Sequence, residues 1–402
     1  MQYVTAIKRE LVALGAGKRG RMFTTIALAW GLLVGTRMIF PVLLPYLRAD
    51  FGLTLTTAGL LITILWLAYA LGQMPAGILV DRYGERTLLT VSIALVVVGI
   101  GLVLVAPSAL PLFAATAFVG GGMSMYTIAR ITVLSDLYPE RLGSALGVTM
   151  ATGDVGQTIL PPLAGALAVI VAWQVGLGFV APFLVVVGIY IWLTLPSGTD
   201  SASAPESLSL EAFRDVLGEI RQPATVIMGG VLCLFILVWQ TFSAFYPTYL
   251  IEVKGFSPTA ASLVFGLYFA VGIVAKPISG RAYDMIGARR TLPLILVGPI
   301  VGLVVLPMID GLWPLVVVTL LIATAKGSGA ITQPYLAEVL PKEIQGTGLG
   351  VIRSTAATLG AAGPVLFGIA ADFGYFDASY IGLAVVIAVA LVVTLRLPDH
   401  DR

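Results

Sequence analysis

Arg37, Arg130, Lys276, Lys326 and Arg353 each lie inside a run of apolar or small residues, and Asp154 is the one acid comparably deep in such a run. A charge held near the middle of a bilayer costs about 2.5–3.5 kcal/mol on insertion scales, so each of these groups needs a polar interior, a partner or a task. Five cations against one acid leave the interior short of negative charge, which a bound anion would supply. Arginine offers a planar fork that fits a carboxylate, and lysine a compact, more readily titrated point charge. The structural alternatives are a lock between Asp154 and one of the lysines, or snorkelling of Lys276 and Arg130 toward the inner face. Tyr126, one turn before Arg130, and Gln240 and Tyr246, on a segment shared with Trp239, Phe242, Phe245 and Tyr249, are the polar side chains best placed to complete a site. Such aromatic stripes also serve plain packing.

The elements that carry these residues follow from composition. Of 402 residues, 58% are hydrophobic and 11% charged, which fits helices packed in lipid and not a soluble core. Crossing about 30 Å of hydrocarbon takes roughly 20 residues at about 1.5 Å each. Runs of that length fall near 23–46, 56–80, 87–106, 111–137, 142–169 and 174–195, then near 223–250, 258–283, 290–309, 312–339, 344–370 and 377–396. The expected organisation is an inner tail (1–22), a six-helix bundle (23–195), a polar linker (196–222) with an amphipathic helix after Ser209, a second six-helix bundle (223–396) and a second inner tail (397–402). Basic residues follow that layout, with Lys8, Arg82, Arg141, Arg289 and Lys342 among those on the inner side and only Arg48 and Lys254 outside. The bias places both termini in the cytoplasm and the chain in the cell membrane. No secretory cleavage pattern precedes the first apolar run. Depth counted from the inner loops puts Arg130, Lys276 and Arg353 about 10–15 Å in, with Arg37, Lys326 and Asp154 nearer the middle.

The two halves are copies. Gly77, Asp81, Gly84 and Arg86 recur 203 residues later as Gly280, Asp284, Gly287 and Arg289, and the same offset relates Tyr46 to Tyr249, Gly143 to Gly346 and Pro161 to Pro364. Matches at one offset in four regions mark two homologous halves in the same orientation. Gly77 and Gly280 are expected to permit close helix approach, and Gly84 and Gly287 a tight turn. Asp81 is placed to accept hydrogen bonds at a neighbouring helix N-terminus near Arg141 or Gly143. Arg82, Asp136, Arg141 and Glu338 join it as gating candidates. The glycine and proline run at 153–165 reads first as close packing with kinks.

These residues resemble the major facilitator superfamily of secondary transporters, whose signature loop is seen here as Gly77, Asp81, Arg82, Gly84 and Arg86, with Glu85 in a usually basic position. The resemblance covers residues 22–396. It implies an all-α integral membrane protein of twelve helices in two pseudo-symmetric bundles, rocking around a cavity lined by the first, fourth, seventh and tenth helices. Lys276 followed by proline, with Arg353, is more narrowly similar to the oxalate/formate antiporter and monocarboxylate transporter branch. A small organic anion, a carboxylate above all, is therefore the expected substrate, moved by alternating access with a counter-anion or with protons. Asp154 is the proton-coupling candidate, since the single histidine, His400, lies near the chain end. The alternatives are a proton-coupled exporter of amphipathic compounds, and a receptor without transport. Nothing points to an enzyme, cofactor, metal or nucleic acid. "GAGKRG" near residue 15 lacks the spacing of a phosphate-binding loop, and the lone Cys233 excludes disulfides within the chain. The partners expected are the substrate and the bilayer, around a monomer.

Overall fold

A computed structural model describes residues 17–196, 218, 222–341 and 344–397. The linker helix expected after Ser209 lies outside the described residues. Among the described residues, twelve helices are long and apolar enough to cross a membrane: α1 Gly17–Phe51, α2 Leu55–Tyr83, α3 Glu85–Leu104, α4 Ala109–Leu137, α5 Pro139–Ile170, α6 Trp173–Thr194, α7 Pro223–Glu252, α8 Pro258–Ile286, α9 Ala288–Met308, α10 Leu312–Val339, α11 Thr347–Asp372 and α12 Phe376–Thr394. Their positions match the expected spans. The first differs most, since its helix already includes Lys18, Arg19 and Arg21, residues read from sequence as tail. Side-chain periodicity is weak because most faces are apolar, as expected where lipid replaces water.

Two helices of the second half are interrupted. α10 passes through a 3-10 stretch at Thr324–Ser328, and α11 breaks between Gly360 and Gly363. Tighter turns inside a helix often mark functional positions. The first-half counterparts of these stretches lie within continuous α-helix.

The chain divides into two compact units. One holds Met1–Leu43 with Leu67–Ala204, and the other Leu44–Trp66 with Pro205–Arg402. The boundary thus departs from the linker at one place, the end of α1 and the first part of α2.

In the first unit, α1 and α5 meet without intervening side chains. A Cβ on Gly156 would lie 2.0 Å from the Gly31 carbonyl oxygen, and one on Gly35 would lie 2.6 Å from that of Gly156. The glycines after Thr152 are therefore contact surface. Ser92 ties α3 to α4 by donating to the Gly122 carbonyl at 2.7 Å.

In the second unit, the start of α2 is held by Asp372 at the end of α11, which accepts from the backbone amides of Leu55 (2.9 Å) and Thr56 (2.8 Å). A carboxylate there satisfies two of the amides that a helix start leaves without partners. Arg48 and Glu252 form an ion pair beside it. Gly59 and Gly368 let α2 and α11 approach, each lacking a Cβ that would sit 2.3 Å from a carbonyl oxygen of the other helix.

The signature loops behave as expected in one respect and differently in another. Gly84 and Gly287 take φ of 75° and 76°, the left-handed region that a tight turn requires. Gly77 and Gly280 do not mediate close approach, because a Cβ on Gly77 would meet nothing within 4 Å and one on Gly280 only Ala330 at 3.8 Å. Spacing showed where the glycines recur but not which face of the helix they occupy.

Candidate functional site

Three of the five deep cations are set against aromatic faces. Arg37, buried on α1, lies 4.6 Å from the centroid of the Tyr69 ring on α2. The Tyr69 hydroxyl is 3.1 Å from Thr127 Oγ1 on α4, so one tyrosine joins three helices behind the guanidinium. Arg130, buried on α4, lies 4.0 Å from the centroid of the Trp30 ring on α1 and donates through Nη1 to Thr149 on α5. Trp30 in turn stacks on Tyr126 at 6.4 Å. Cation–π contact of this kind contributes about 0.5–2 kcal/mol, most where water is excluded.

Lys326 occupies the 3-10 break of α10. Its ammonium lies 4.5 Å from the Phe269 centroid, 5.0 Å from Trp239 and 5.5 Å from Tyr268. Lys276 is half-buried on α8, and Arg353 is exposed on α11, donating to Gln333 Oε1 at 3.4 Å.

The hydroxyls proposed from sequence are otherwise engaged. Tyr126 donates to the Ile26 carbonyl at 2.9 Å, and Tyr246 pairs with Thr319, whose own hydroxyl donates to Leu315 at 2.6 Å. Each tyrosine has one donor, so both are corrected here from substrate donors to helix ties. Gln240 is 1% exposed and its Oε1 is buried without a hydrogen-bond partner, as is Oε1 of Gln157. Asp154 is buried on α5, where Gln157 Nε2 approaches its Oδ1 at 3.5 Å.

Among the gating candidates, Arg86 lies 4.1 Å from the centroid of the Trp192 ring on α6, and Arg82 5.4 Å from that of Tyr83. Glu338 accepts from Tyr283 at 2.7 Å, tying α10 to α8. Asp81, Asp136, Arg141, Asp284 and Arg289 are exposed at or near the ends of their helices. The hydrogen bonds expected for Asp81 at the start of α5 do not form among the described residues, which also hold no acid, histidine and cysteine group able to bind a metal.

Sequence reasoning missed Tyr69, Thr149 and Gln157. Tyr69 and Thr149 act only through contacts across helices, which no spacing reveals. Gln157 carries no mark in the repeat, where it corresponds to Gly360, but other glutamines do. At the repeat offset of 203, Arg37 corresponds to Gln240, Arg130 to Gln333 and Lys276 to Gln73, so three cations each face a glutamine in the other copy.

The profile of the Major Facilitator Superfamily matches residues 26–334 and 258–402, which together cover all but the first residues of the helical region. The chain belongs to that superfamily. It is accordingly a secondary transporter of multi-pass membrane form, and not an enzyme. Superfamily relatives include the hexuronate transporter of Bacillus subtilis (strain 168), 23% identical over 88% of this chain and 89% of that one. The sialic acid transporter NanX of Escherichia coli (strain K12) is 25% identical over 82% and 81%. Among solved superfamily structures, an inward-facing, unoccupied bacterial homologue of the human lysosomal transporter Spinster superposes with a TM-score of 0.80 at 16% identity, covering 94% of this chain and 97% of the other.

Gly153 offers a local test of the Arg130 arrangement. A Cβ there would lie 2.7 Å from Trp30 Nε1, so Gly153→Ala must displace the indole on which the guanidinium rests. We expect a rise of about tenfold in the substrate KM, the size of one lost hydrogen-bond-scale contact, in uptake by reconstituted protein. An unchanged KM would mean that Trp30 does not support Arg130.

Proposed function

We propose that this chain carries a small organic anion, a carboxylate, by alternating access, and that the cations Arg37, Arg130 and Lys326 engage it. Supporting this reading most directly is the pair of buried guanidinium groups Arg37 and Arg130, each lying over an aromatic ring. Such groups fit a planar oxyanion and discriminate against cations. The substrates in the relatives' names, hexuronate and sialic acid, are hydroxylated carboxylates, in keeping with the same class. Gln240 and Gln157 then serve the neutral part of the molecule. Lys276 and Arg353 act as inner vestibule charges, and the loops around Asp81, Asp284 and Glu338 gate the cytoplasmic side, with both termini on it.

The deciding experiment is uptake into proteoliposomes of glucuronate, sialic acid, lactate, oxalate and one cationic dye, with and without a proton gradient and with and without internal substrate. Saturable carboxylate flux is expected. Movement of the dye alone would replace this reading by an exporter, and binding without flux by a receptor. Gly153 and Gly156 of α5 are occupied in packing against α1, in keeping with the packing role expected of that run.

Coupling rests on Asp154. Proton symport needs a group that titrates during the cycle, and this buried acid is the candidate in the first unit. Asp154→Asn is expected to abolish proton-driven accumulation while leaving exchange between internal and external substrate within about twofold of wild type. Loss of both activities would make Asp154 a binding or structural group, and loss of neither would leave the transporter an exchanger.

A further inference from the structure

The break in α10 is built to deliver Lys326 to one place. Gly327 packs on Ser279 of α8, where a Cβ would fall 2.0 Å from Oγ, and Gly298 of α9 leaves room for Thr324 in the same way at 2.6 Å. Thr324 Oγ1 lies 3.1 Å from the Ile295 carbonyl and 2.8 Å from that of Leu321, either of which can accept its proton. The short turn is thereby fixed between two helices. The lysine stem then crosses Gly272 of α8, where a Cβ would stand 3.3 Å from Cε and 3.4 Å from Cβ of Lys326. A Cβ at 272 would sit tight against the stem, which would have to give by a few tenths of an ångström, so glycine there leaves the lysine room to lie along α8.

Trp239 of α7 forms one wall of those surroundings and has a second property. Its ring meets Trp66 edge-on at 5.0 Å, which holds it against rotation, and its Nε1 is enclosed without a hydrogen-bond partner. An indole N–H can only donate, and a buried donor left without an acceptor is costly, so an acceptor belongs there when the protein works. One helical turn further, Ser243 on the same face of α7 has a buried hydroxyl also without a partner.

We propose that Trp239 both positions the Lys326 ammonium on its ring and donates its Nε1–H, together with the Ser243 hydroxyl, to hydroxyl oxygens of a polyhydroxylated acid. The inference rests on the anion-transport reading above and narrows its substrate from carboxylates at large to hydroxylated ones. A buried site designed to bond a hydroxyl rejects the analogue without it, because its own donor is then stranded. Charge is recognised by the cations, and the hydroxylated body of the molecule by the α7 strip.

Trp239→Phe keeps an aromatic face for the ammonium and removes the N–H. Uptake by the reconstituted full chain is measured for glucuronate and for adipate, a carboxylate of similar length without hydroxyls, beside Ser243→Ala. For glucuronate, Trp239→Phe is expected to raise KM by about tenfold with Vmax within about twofold, and Ser243→Ala to raise it by about fivefold. The preference of wild type for glucuronate over adipate should shrink in proportion. Trp239→Leu removes the aromatic face as well and should add a loss of Vmax that Trp239→Phe does not show. Thermal midpoints in detergent exclude misfolded variants, and Ser243→Ala, a smaller change, carries the test if Trp239→Phe does not fold. Wild-type glucuronate kinetics in both Trp239→Phe and Ser243→Ala would overturn the inference while leaving anion transport intact. A wild type that moves no carboxylate would overturn the broader reading instead. The positioning role is then still read without substrate, since Lys326→Gln should change the emission assigned to Trp239 by difference from Trp239→Phe, and an unchanged emission would reject it.

Discussion

Arg37→Gln is expected to lower kcat/KM for the transported anion by about 10- to 150-fold, the range that corresponds to losing a charge-assisted hydrogen bond worth about 1.5–3 kcal/mol. Uptake by proteoliposomes over a substrate range measures it. Arg37→Lys is expected to recover only part of the loss. Lysine keeps the charge but not the planar fork, and it cannot lie flat over the Tyr69 ring as the guanidinium does at 4.6 Å. Arg37→Gln removes a buried charge but also the contact with the Tyr69 ring, so the thermal midpoint has to be read beside the flux. A thermal midpoint at or above that of wild type, together with the lost flux, separates a binding role from a structural one. Full activity in Arg37→Gln would leave the buried guanidinium serving structure alone and would remove the main support for an anion substrate.

How much of this was legible beforehand depends on the physical origin of each feature. The helices were readable because lipid demands long apolar runs with internal backbone bonding, and that demand is written continuously along the chain. Gly84 and Gly287 were readable as turn residues because a positive φ is a local requirement. Gly77 and Gly280 were misread for the opposite reason, since close approach depends on the face a glycine occupies. Arg37, Arg130 and Lys326 stood out because a buried charge is expensive wherever it points. Their aromatic supports, Tyr69, Trp30 and Phe269, come from other helices and carry no mark of their role in the sequence. The tyrosines show the limit most clearly. Tyr126 and Tyr246 sat at suitable depth beside suitable neighbours, but each hydroxyl is bonded within the protein, and only coordinates reveal where a single proton goes.

The seam between α1 and α5 yields the largest expected effect on stability. In Gly156→Ala the new methyl would lie 2.0 Å from the Gly31 carbonyl oxygen and 3.1 Å from its Cα, both of them backbone atoms that no rotamer change can move. The helices must separate, and overpacking of this kind costs about 1–3 kcal/mol or more. Gly147→Ala on the same helix is the control, because its Cβ would meet nothing within 4 Å. There alanine should be neutral or should add up to about 1 kcal/mol, the difference in helix propensity between the two residues. Thermal midpoints of the two variants in one detergent, taken at one scan rate because membrane proteins often unfold irreversibly, should therefore move in opposite directions. Flux should fall in Gly156→Ala as well, since α1 carries both Arg37 and Trp30, and a shift of its backbone moves the guanidinium from Tyr69 and the indole from Arg130 together. Equal midpoints would mean that the seam is looser than the carbonyl contact implies. The glycines of α5 would then need a different reason, and relative motion of α1 and α5 during transport would be the one to test next.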